Sequence, residues 1–261
     1  MDRTENIDFC IRYLAEQNGV ETDLRQARLL QDKQRLFRAL MNIWQPQPLS
    51  PEFIAAQDAE LGLQREEKGV VPVSGSGLSV WQGDITRLQA DAIVNAANAQ
   101  MLGCFQPLHA CIDNAIHSAA GLQLRQECND LMRGRLLPTG KAVITGGYNL
   151  PARHVLHTVG PIVGGREPSA EQEKQLSDCY RNCLDAAAGH DCRSIAFCCI
   201  STGVFGYPQA LAAEMAVRTV KEWMRESQKS GQSPKVESPK LSVIFCTFKD
   251  YDTQLYRNLL Q

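Results

Sequence analysis

Apolar residues recur at helical spacing through the first seventy residues of the chain. They are Ile7, Cys10, Ile11, Leu14, Leu30, Phe37, Leu40 and Met41. Ser50 followed by Pro51 is typical of a helix start, because serine caps the first turn and proline fits its first position. Thr22 or Asp23 is the predicted cap of the preceding helix. We therefore predict a helical N-terminal extension over residues 1–70.

The pattern changes after Leu78 to short runs rich in β-branched residues. Six such runs are LSVWQ, DAIVN, KAVIT, HVLHTVG, SIAFCCI and LSVIFCTF. Helical patterns such as Ala170–Ala188 and Gln209–Glu226 separate some of them, and this alternation predicts an α/β sandwich over residues 71–261. The polar stretch from Arg225 to Lys240 contains two prolines, so we predict a mobile loop there.

Composition narrows the class of protein. Of 261 residues, 44% are hydrophobic and 21% are charged, as in folded globular chains. A formal net charge of -2 argues against broad contact with a nucleic-acid backbone. We find no signal peptide and no apolar run of about 18 residues, so we expect no membrane partner and a cytoplasmic location. The ten cysteines are then expected to be reduced thiols or metal ligands.

Two glycines follow the run SIAFCCI, in the segment Ser201-Thr202-Gly203-Val204-Phe205-Gly206. A strand end, a glycine turn and a helix N-terminus together present free amides to an anion. The alternative is a tight turn without a ligand. The chain lacks both G-x-G-x-x-G after a strand and G-x-x-x-x-G-K-[ST], which argues against a dehydrogenase or an NTPase.

Polar residues also follow two of the other runs. Asp84 lies directly after LSVWQ-Gly, and Asn95 and Asn98 lie in the segment Asn95-Ala96-Ala97-Asn98, which follows DAIV. A carboxylate can accept a hydrogen bond from an exocyclic amine, and amides can bond sugar hydroxyls. Each of these residues also suits an ordinary turn.

Cys104-x4-His109-x-Cys111 gives three soft or borderline metal ligands within eight residues. Catalytic zinc sites commonly use three protein ligands and leave one position open. His109 and Cys111 can meet at one ion only if His109 precedes the regular helix. The alternatives are buried cysteines beside a helix-start histidine, or a second ligand set of His109, Asp113 and His117 at helical spacing.

Three motifs in order, W-Q-G-D-I-T, D-A-I-V-N-A-A-N and C-I-S-T-G-V-F-G-Y-P, resemble the macrodomain family of ADP-ribose-binding modules and ADP-ribosyl hydrolases. The string G-C-F-x-P-x-H-x-C-I-D-N-x-I-H resembles the zinc-containing class of that family, whose members carry a helical N-terminal extension. The resemblance implies a mixed sheet of about six strands between helices, with ADP-ribose at the loop ends. In that class Cys104, His109 and Cys111 would bind Zn²⁺.

The resemblance also implies roles for single residues. Asp84 would take the adenine amine, Ile85 would flank the ring, and Asn98 and Asp113 would orient the distal ribose or the water as catalytic residues. The complete implied ADP-ribose-binding set is Asp84, Ile85, Asn98, Cys111, Ile112, Asp113, Ser201, Thr202, Gly203, Val204, Phe205 and Phe248.

The function implied by this resemblance is zinc-dependent removal of mono-ADP-ribose from protein, with an ester-linked Asp or Glu side chain as the favoured substrate and a lipoylated carrier protein as the suggested partner. Zinc would polarise a ribose or ester oxygen, or activate water. The alternatives are a non-catalytic ADP-ribose reader and an O-acetyl-ADP-ribose deacetylase. A thiol-redox protein is less favoured, because the chain has no C-x-x-C.

Overall fold

The computed structural model describes residues 2–229 and 241–261 of the chain. Its first helices are α1 (Arg3–Asn18), α2 (Leu30–Ile43) and α3 (Pro51–Lys68). The predicted start of α3 is confirmed, because Ser50 Oγ accepts a hydrogen bond from the Phe53 amide at 3.1 Å and Pro51 is the first helical residue.

The predicted cap of α2 at Thr22 or Asp23 is wrong. Helix α2 begins only at Leu30, and Leu29 precedes it without a side-chain cap. The Asp23 carboxylate lies in an earlier turn, where it accepts hydrogen bonds from Arg25 N and Nε at 3.0 and 2.9 Å. A local side-chain bond of this kind competes with helix capping, and sequence spacing does not decide between them.

The three N-terminal helices bury a core of their own. Its members include Ile7, Cys10, Ile11, Leu14, Phe37, Leu40, Met41, Trp44 and Phe53. Leu122, which belongs to a later helix, is part of the same cluster and is 2% exposed. The extension is therefore packed against the rest of the chain through apolar contacts.

Eight strands follow α3 within the described residues. They are β1 (Val71–Pro72), β2 (Leu78–Gln82), β3 (Leu88–Gln89), β4 (Ala92–Ala96), β5 (Ala142–Gly146), β6 (His154–Thr158), β7 (Ser194–Phe197) and β8 (Ser242–Thr247). Strands β1 and β3 form a small parallel pair that the sequence pattern did not predict, because two residues carry no periodicity.

The other six strands form one mixed sheet in the order β2-β8-β7-β4-β6-β5. Neighbours are parallel except β5, which is antiparallel to β6. The remaining helices are α4 (Ile112–Ala120), α5 (Leu122–Met132), α6 (Ala170–Gly189), α7 (Gln209–Lys229) and α8 (Asp250–Leu260). The predicted α/β sandwich with about six strands is confirmed.

Helices cover both faces of the sheet, as burial of its central strands requires. Every residue of β8 is buried. Helices α6, α7 and α8 pack in series, with α6 against β5 and β6 and α8 against β2 and β8. Helix α4 packs against β4, and α5 against β5 and α4. Helix α4 also contacts α2 and α3, so it lies between the sheet and the N-terminal helices.

The stretch predicted as a loop from Arg225 to Lys240 begins as helix. Helix α7 continues to Lys229, and residues 230–240 lie outside the described part of the chain. Among the described helices, none combines the length and the apolar character needed to cross a bilayer.

The parallel strands set the position of the site. Because β2, β8, β7, β4 and β6 run in one direction, the segments that follow them meet at a single edge of the sheet. The predicted binding motifs all belong to these segments.

Candidate functional site

The turn before α4 gathers the three predicted metal ligands. Cys111 is the N-cap of α4, and its Sγ accepts a hydrogen bond from the Asn114 amide at 3.4 Å. His109 therefore precedes the regular helix, as convergence on one ion requires. The ligand atoms of Cys104, His109 and Cys111 all lie within 4.8 Å of one another. All three side chains are partly exposed, so an ion there would be open to a substrate.

The spacing of these atoms suits zinc. Cys104 Sγ lies 3.5 Å from His109 Nδ1. Tetrahedral zinc with usual bond lengths of about 2.3 Å to sulfur and about 2.0–2.1 Å to nitrogen separates those two atoms by about 3.6 Å. The donor set of two thiols and one imidazole also matches the preference of zinc for sulfur and nitrogen.

The position of Cys111 has two opposing effects on the pKa of its thiol. Burial raises the pKa of the Cys111 thiol to about 11, while the hydrogen bond from the Asn114 amide lowers it. The N-terminus of α4 also favours a negative charge at its cap. A thiol binds a metal as the thiolate, so metal binding here must release this proton.

Two backbone features shape the entry to this segment. Gly103 has a φ of 77°, and a Cβ there would lie 2.8 Å from the His117 ring. Glycine is therefore required by both conformation and contact. Leu108, directly before the predicted ligand His109, also has a left-handed φ of 56°. A branched residue in this conformation costs about 1–2 kcal/mol, so neighbouring bonds must hold it.

Asn98 and Asp113 form a hydrogen-bonded pair beside the ligands. Asn98 Oδ1 accepts from the Gln100 and Met101 amides, at 3.0 and 3.1 Å. Asn98 Nδ2 donates to Gly103 O at 2.9 Å and to Asp113 Oδ2 at 3.3 Å. The amide thus uses all four of its hydrogen-bonding positions within the chain. A ribose hydroxyl could bond Asn98 only by replacing one of these partners.

Asp113 lies behind Asn98 and is only 5% exposed. Its Oδ1 accepts a second bond from Asn95 Nδ2 at 2.8 Å. Burial raises the pKa of the Asp113 carboxyl to about 6, against the hydrogen bond from Asn95 and the charge of Arg125. In this arrangement Asp113 would act on a bound ligand only through its hydrogen bond with Asn98.

The alternative ligand set of His109, Asp113 and His117 is not assembled within the described residues. His117 is 3% exposed and turns inward, with Nε2 at 3.5 Å from Asp113 Oδ1. Burial, followed by the nearby His157, lowers the pKa of His117 well below its usual range. It is therefore a neutral, packed residue.

A second group of possible ligands, His117, Cys128 and His157, lies fully buried beneath the site. Asn95 Nδ2 donates to His157 Nδ1 at 3.2 Å, which places the ring proton on Nε2, 3.0 Å from Thr145 Oγ1. His157 then has no lone pair left for a metal. Residues Asn95 and His157 are register partners of β4 and β6, so the contact follows from the strand pairing.

The segment after β7 shows the features of an anion site. We call residues 201–206 the anion loop. The amides of Thr202, Gly203, Val204 and Phe205 donate to no acceptor within residues 2–229 and 241–261. Consecutive free amides at a strand end are suited to bind phosphate oxygens.

Carbonyl groups hold the anion loop in place. Phe205 O accepts from the Val163 and Gly164 amides at 2.8 and 3.0 Å, and Ser201 O accepts from the Tyr207 amide at 2.9 Å. The loop is therefore fixed without using its four free amides.

Close contact with the end of β6 sets the start of the anion loop. Ser201 has a left-handed φ of 64° and is 5% exposed, and its Oγ has no partner among the described residues. A Cβ on Gly160 would lie 2.0 Å from that oxygen. Gly160 is thus required by the close approach of the two segments.

The predicted adenine end is less uniform. Asp84 Oδ1 accepts from Thr86 N and Oγ1 at 3.0 and 2.7 Å, as a turn residue does, while Oδ2 lies 3.9 Å from Lys68 Nζ. Ile85 is 2% exposed and belongs to the core, whereas Phe248 is 77% exposed at the end of β8. Phe248 is thus free to stack on a ring, and Ile85 would contact one only from below.

Comparison with known proteins follows this geometry. The model of the Macro domain matches residues 94–216. An Oceanobacillus iheyensis macrodomain mutant solved with ADPR is 37% identical, with a TM-score of 0.59, over 70% of this chain and 91% of that one. The chain belongs to the macrodomain family. A Trypanosoma brucei macrodomain in complex with ADP-ribose is 30% identical, with a TM-score of 0.63, over 82% and 92% of the two chains.

Relatives of this macrodomain also match the N-terminal helices. A protein-ADP-ribose hydrolase of Staphylococcus aureus strain Mu50 is 44% identical over 97% of this chain and 94% of its own. A protein-ADP-ribose hydrolase of Treponema medium is 41% identical over the full length of both chains.

Two groups of this macrodomain escaped the sequence-based prediction. Arg38 and Asn42 of α2 both form hydrogen bonds with the segment that carries the predicted metal ligands. Asn114 joins that segment to Arg38. The motif I-D-N included Asn114, but no local signal pointed to α2, because some seventy residues separate it from its partners.

Proposed function

We propose that this macrodomain is a zinc-dependent hydrolase that removes mono-ADP-ribose from modified protein side chains. The observation that carries the proposal is the convergence of Cys104, His109 and Cys111 within 4.8 Å, in a segment joined to Asn98 at the sheet edge. The names of its relatives, protein-ADP-ribose hydrolases that match most of the chain, support hydrolysis.

The anion loop and the segment from Cys104 to Cys111 suggest which residues bind each part of ADP-ribose and the metal. The free amides of the anion loop would bind the diphosphate, and Phe248 would stack on adenine. Cys104, His109 and Cys111 would hold zinc, which when bound supplies a Lewis acid that polarises an oxygen of the substrate. Asp84 would take the adenine amine through Oδ2.

Asn98 and Asp113 would act on the distal ribose as a pair. Exchange of the 3.3 Å bond between them for a ribose hydroxyl would let Asn98 orient the sugar. The buried Asp113 would then be a positioning residue, since Asn95 holds its carboxylate away from solvent. Ile112, the first residue of α4, would line the ribose side of the cleft.

The favoured linkage is an ester to Asp or Glu. Its hydrolysis consumes one water, and leaves a carboxylic acid on the protein and a hydroxyl on the ribose. An open metal position suits this reaction, because the polarised oxygen is the one on which charge develops. We propose a cytoplasmic location for the enzyme, where its ten cysteines would be reduced thiols or metal ligands.

The test uses protein mono-ADP-ribosylated on Asp or Glu, and purified full-length enzyme with and without a chelator. We expect chelation and Cys104→Ala to abolish hydrolysis equally, and added zinc to restore only the chelated wild type. Cys192→Ala, which removes a buried thiol outside the ligand segment, is the matched control and should keep full activity. Activity that survives both treatments would refute the zinc mechanism.

The same assay separates the other candidates. Binding of ADP-ribose without hydrolysis of any conjugate would identify a reader, and faster turnover of O-acetyl-ADP-ribose would identify a deacetylase. A lipoylated carrier protein is our proposed substrate on resemblance alone. Comparable rates on a modified lipoylated carrier and on an unrelated modified protein would exclude that preference.

A further inference from the structure

Helix α2 of the N-terminal extension makes direct polar contacts with the metal-ligand segment, residues 104–111. Arg38 donates from Nε and Nη2 to Asn114 Oδ1, at 3.2 and 2.7 Å, and from Nη2 to His109 O at 3.4 Å. Asn42 Oδ1 accepts from the Leu108 amide at 2.9 Å. Two side chains of one helix therefore reach the backbone on both sides of the ligand His109.

Asn114 is the link between α2 and the ligands. Its side-chain Nδ2 donates to Gln106 O at 3.0 Å and to Cys104 O at 3.5 Å. Its backbone N–H donates to Cys111 Sγ. A guanidinium can only donate, so Arg38 requires Asn114 Oδ1 to face α2 and Nδ2 to face the ligand segment. Arg38 thus selects the amide orientation that the segment needs.

Asn42 acts on the strained residue of the segment. Leu108 has a φ of 56°, and its amide has the Asn42 side chain as acceptor. Asn42 is 1% exposed, and its Nδ2 donates to Ser118 Oγ of α4 at 3.0 Å. The left-handed turn that aims His109 at the cysteines is therefore held from α2.

Arg125 of α5 contacts both the end of α2 and the metal-ligand segment. Its Nη1 donates to three carbonyls at the end of α2, those of Met41, Asn42 and Trp44. Its guanidinium also lies 4.6 Å from the centre of the Phe105 ring, inside the ligand segment. The position of α2 is thereby coupled to the segment from a second side.

We propose that α2 is part of the metal centre, with Arg38 as the residue that positions the zinc ligands. The inference rests on the zinc site of the proposed function. Among the described residues Arg38 donates to Asn114 Oδ1 and to the backbone carbonyl of His109, and to none of the three ligand atoms, so it is a positioning residue. Removal of a polar partner of a metal ligand commonly weakens metal affinity by about 10–100-fold.

The experiment compares full-length wild type with Arg38→Ala, Arg38→Lys and the control Arg35→Ala. Arg35 is exposed on the same helix and makes no hydrogen bond or ion pair among the described residues. Zinc affinity is measured by chelator competition, and the ligand geometry by the visible d–d spectrum of the cobalt-substituted protein. Thermal unfolding is followed in parallel.

We expect Arg38→Ala to weaken zinc binding about tenfold or more and to reduce the tetrahedral cobalt bands, with thermal unfolding close to wild type. Arg38→Lys keeps the charge but cannot make the two-point contact, so it should not restore the spectrum. Arg35→Ala should match wild type in every measurement. Equal zinc affinity and equal spectra in Arg38→Ala and wild type would overturn the proposal.

A second measurement separates this proposal from the proposed function. If wild type bound no zinc, the metal would be refuted, and hydrogen exchange of residues 104–111 would still test the role of Arg38. Faster exchange of that segment in Arg38→Ala than in Arg35→Ala would support positioning by α2. Identical exchange would refute it independently of the metal.

Discussion

The metal-ligand segment and the anion loop lie at the same sheet edge but are built in opposite ways. The backbone of residues 104–111 is held from outside by Arg38, Asn42 and Asn114, and its side chains are the groups left to bind. In residues 201–206 the carbonyls hold the loop and the amides are left to bind. A side-chain site tolerates a fully bonded backbone, whereas a backbone site must keep its donors free.

The largest effect should come from crowding the anion loop. Gly160→Ala places a Cβ 2.0 Å from Ser201 Oγ and 2.8 Å from Ile200 Cγ2, so these two side chains at the start of the loop must shift. A shift of about 1 Å in a binding group can cost about 100-fold, so we expect a loss of this order in ADP-ribose hydrolysis. Under the proposed function, zinc content should be unchanged.

Gly62→Ala is the control for that substitution, because a Cβ at Gly62 in α3 meets no atom within 4 Å. Steady-state hydrolysis and titration calorimetry with ADP-ribose measure the effect. Equal activity of the two variants would show that the close approach of Gly160 does not set the loop.

Hydrogen exchange should distinguish the two regions in a single protein. ADP-ribose at about 100 times its Kd should slow exchange of residues 201–206 by up to about 100-fold, because free amides gain acceptors. Residues 104–111 should change little with ADP-ribose. Under the proposed function, chelation of zinc should do the reverse, with faster exchange at 104–111 only. Equal protection of both segments by ADP-ribose would contradict the division.

Acid should destabilise the polar network beneath the metal-ligand segment. Burial lowers the pKa of His157 to about 3, below the usual value of about 6.5 in an unfolded chain. The unfolded state therefore binds more protons between these values, and stability falls as the pH falls through that window. From pH 7 to pH 5 the His157 contribution to the free energy of unfolding should decrease by about 2 kcal/mol.

Urea unfolding at the two pH values tests this dependence. His157→Asn should reduce the loss on acidification by about that amount, since asparagine does not titrate. His190→Asn removes an exposed histidine and should leave the loss unchanged. A pH dependence that persists in full in His157→Asn would refute the assignment of a neutral buried ring.

The smallest effect is expected at the exposed end that is predicted to bind adenine. Phe248 is 77% exposed, so Phe248→Ala should not alter thermal unfolding. Loss of one aromatic stacking contact should weaken ADP-ribose binding about fivefold, or about 1 kcal/mol. The control is Tyr251→Ala, at a neighbouring exposed aromatic. Equal losses in the two variants, measured by calorimetry, would remove Phe248 from the site.

Much of the fold was open to prediction from the chain alone. Six apolar runs and helical periodicity around Leu176 and Phe37 report burial, which is a local property of each element. The predicted cap of α2 was wrong because Asp23 bonds Arg25 in its own turn and α2 begins only at Leu30. The two-residue strands β1 and β3 were too short to show a period.

The candidate site likewise has one part that could be predicted from the sequence and one part that could not. The composition and spacing of Cys104, His109 and Cys111 predicted a compact ligand set, because those residues are close in sequence. Asp113 was expected beside the ribose and lies buried behind Asn98. Sequence reports which face of a helix an aspartate occupies, but not what covers that face.

The sequence by itself determined the α/β architecture, and it predicted the ligand set in residues 104–111 and the glycine turn at 201–206. Only the tertiary structure decided that α2 reaches the metal-ligand segment, and that Arg38 orients Asn114. The physical reason is the separation along the chain over which each interaction acts. Periodicity, capping and ligand spacing act between near neighbours, whereas a contact across some seventy residues depends on how separately formed helices pack together.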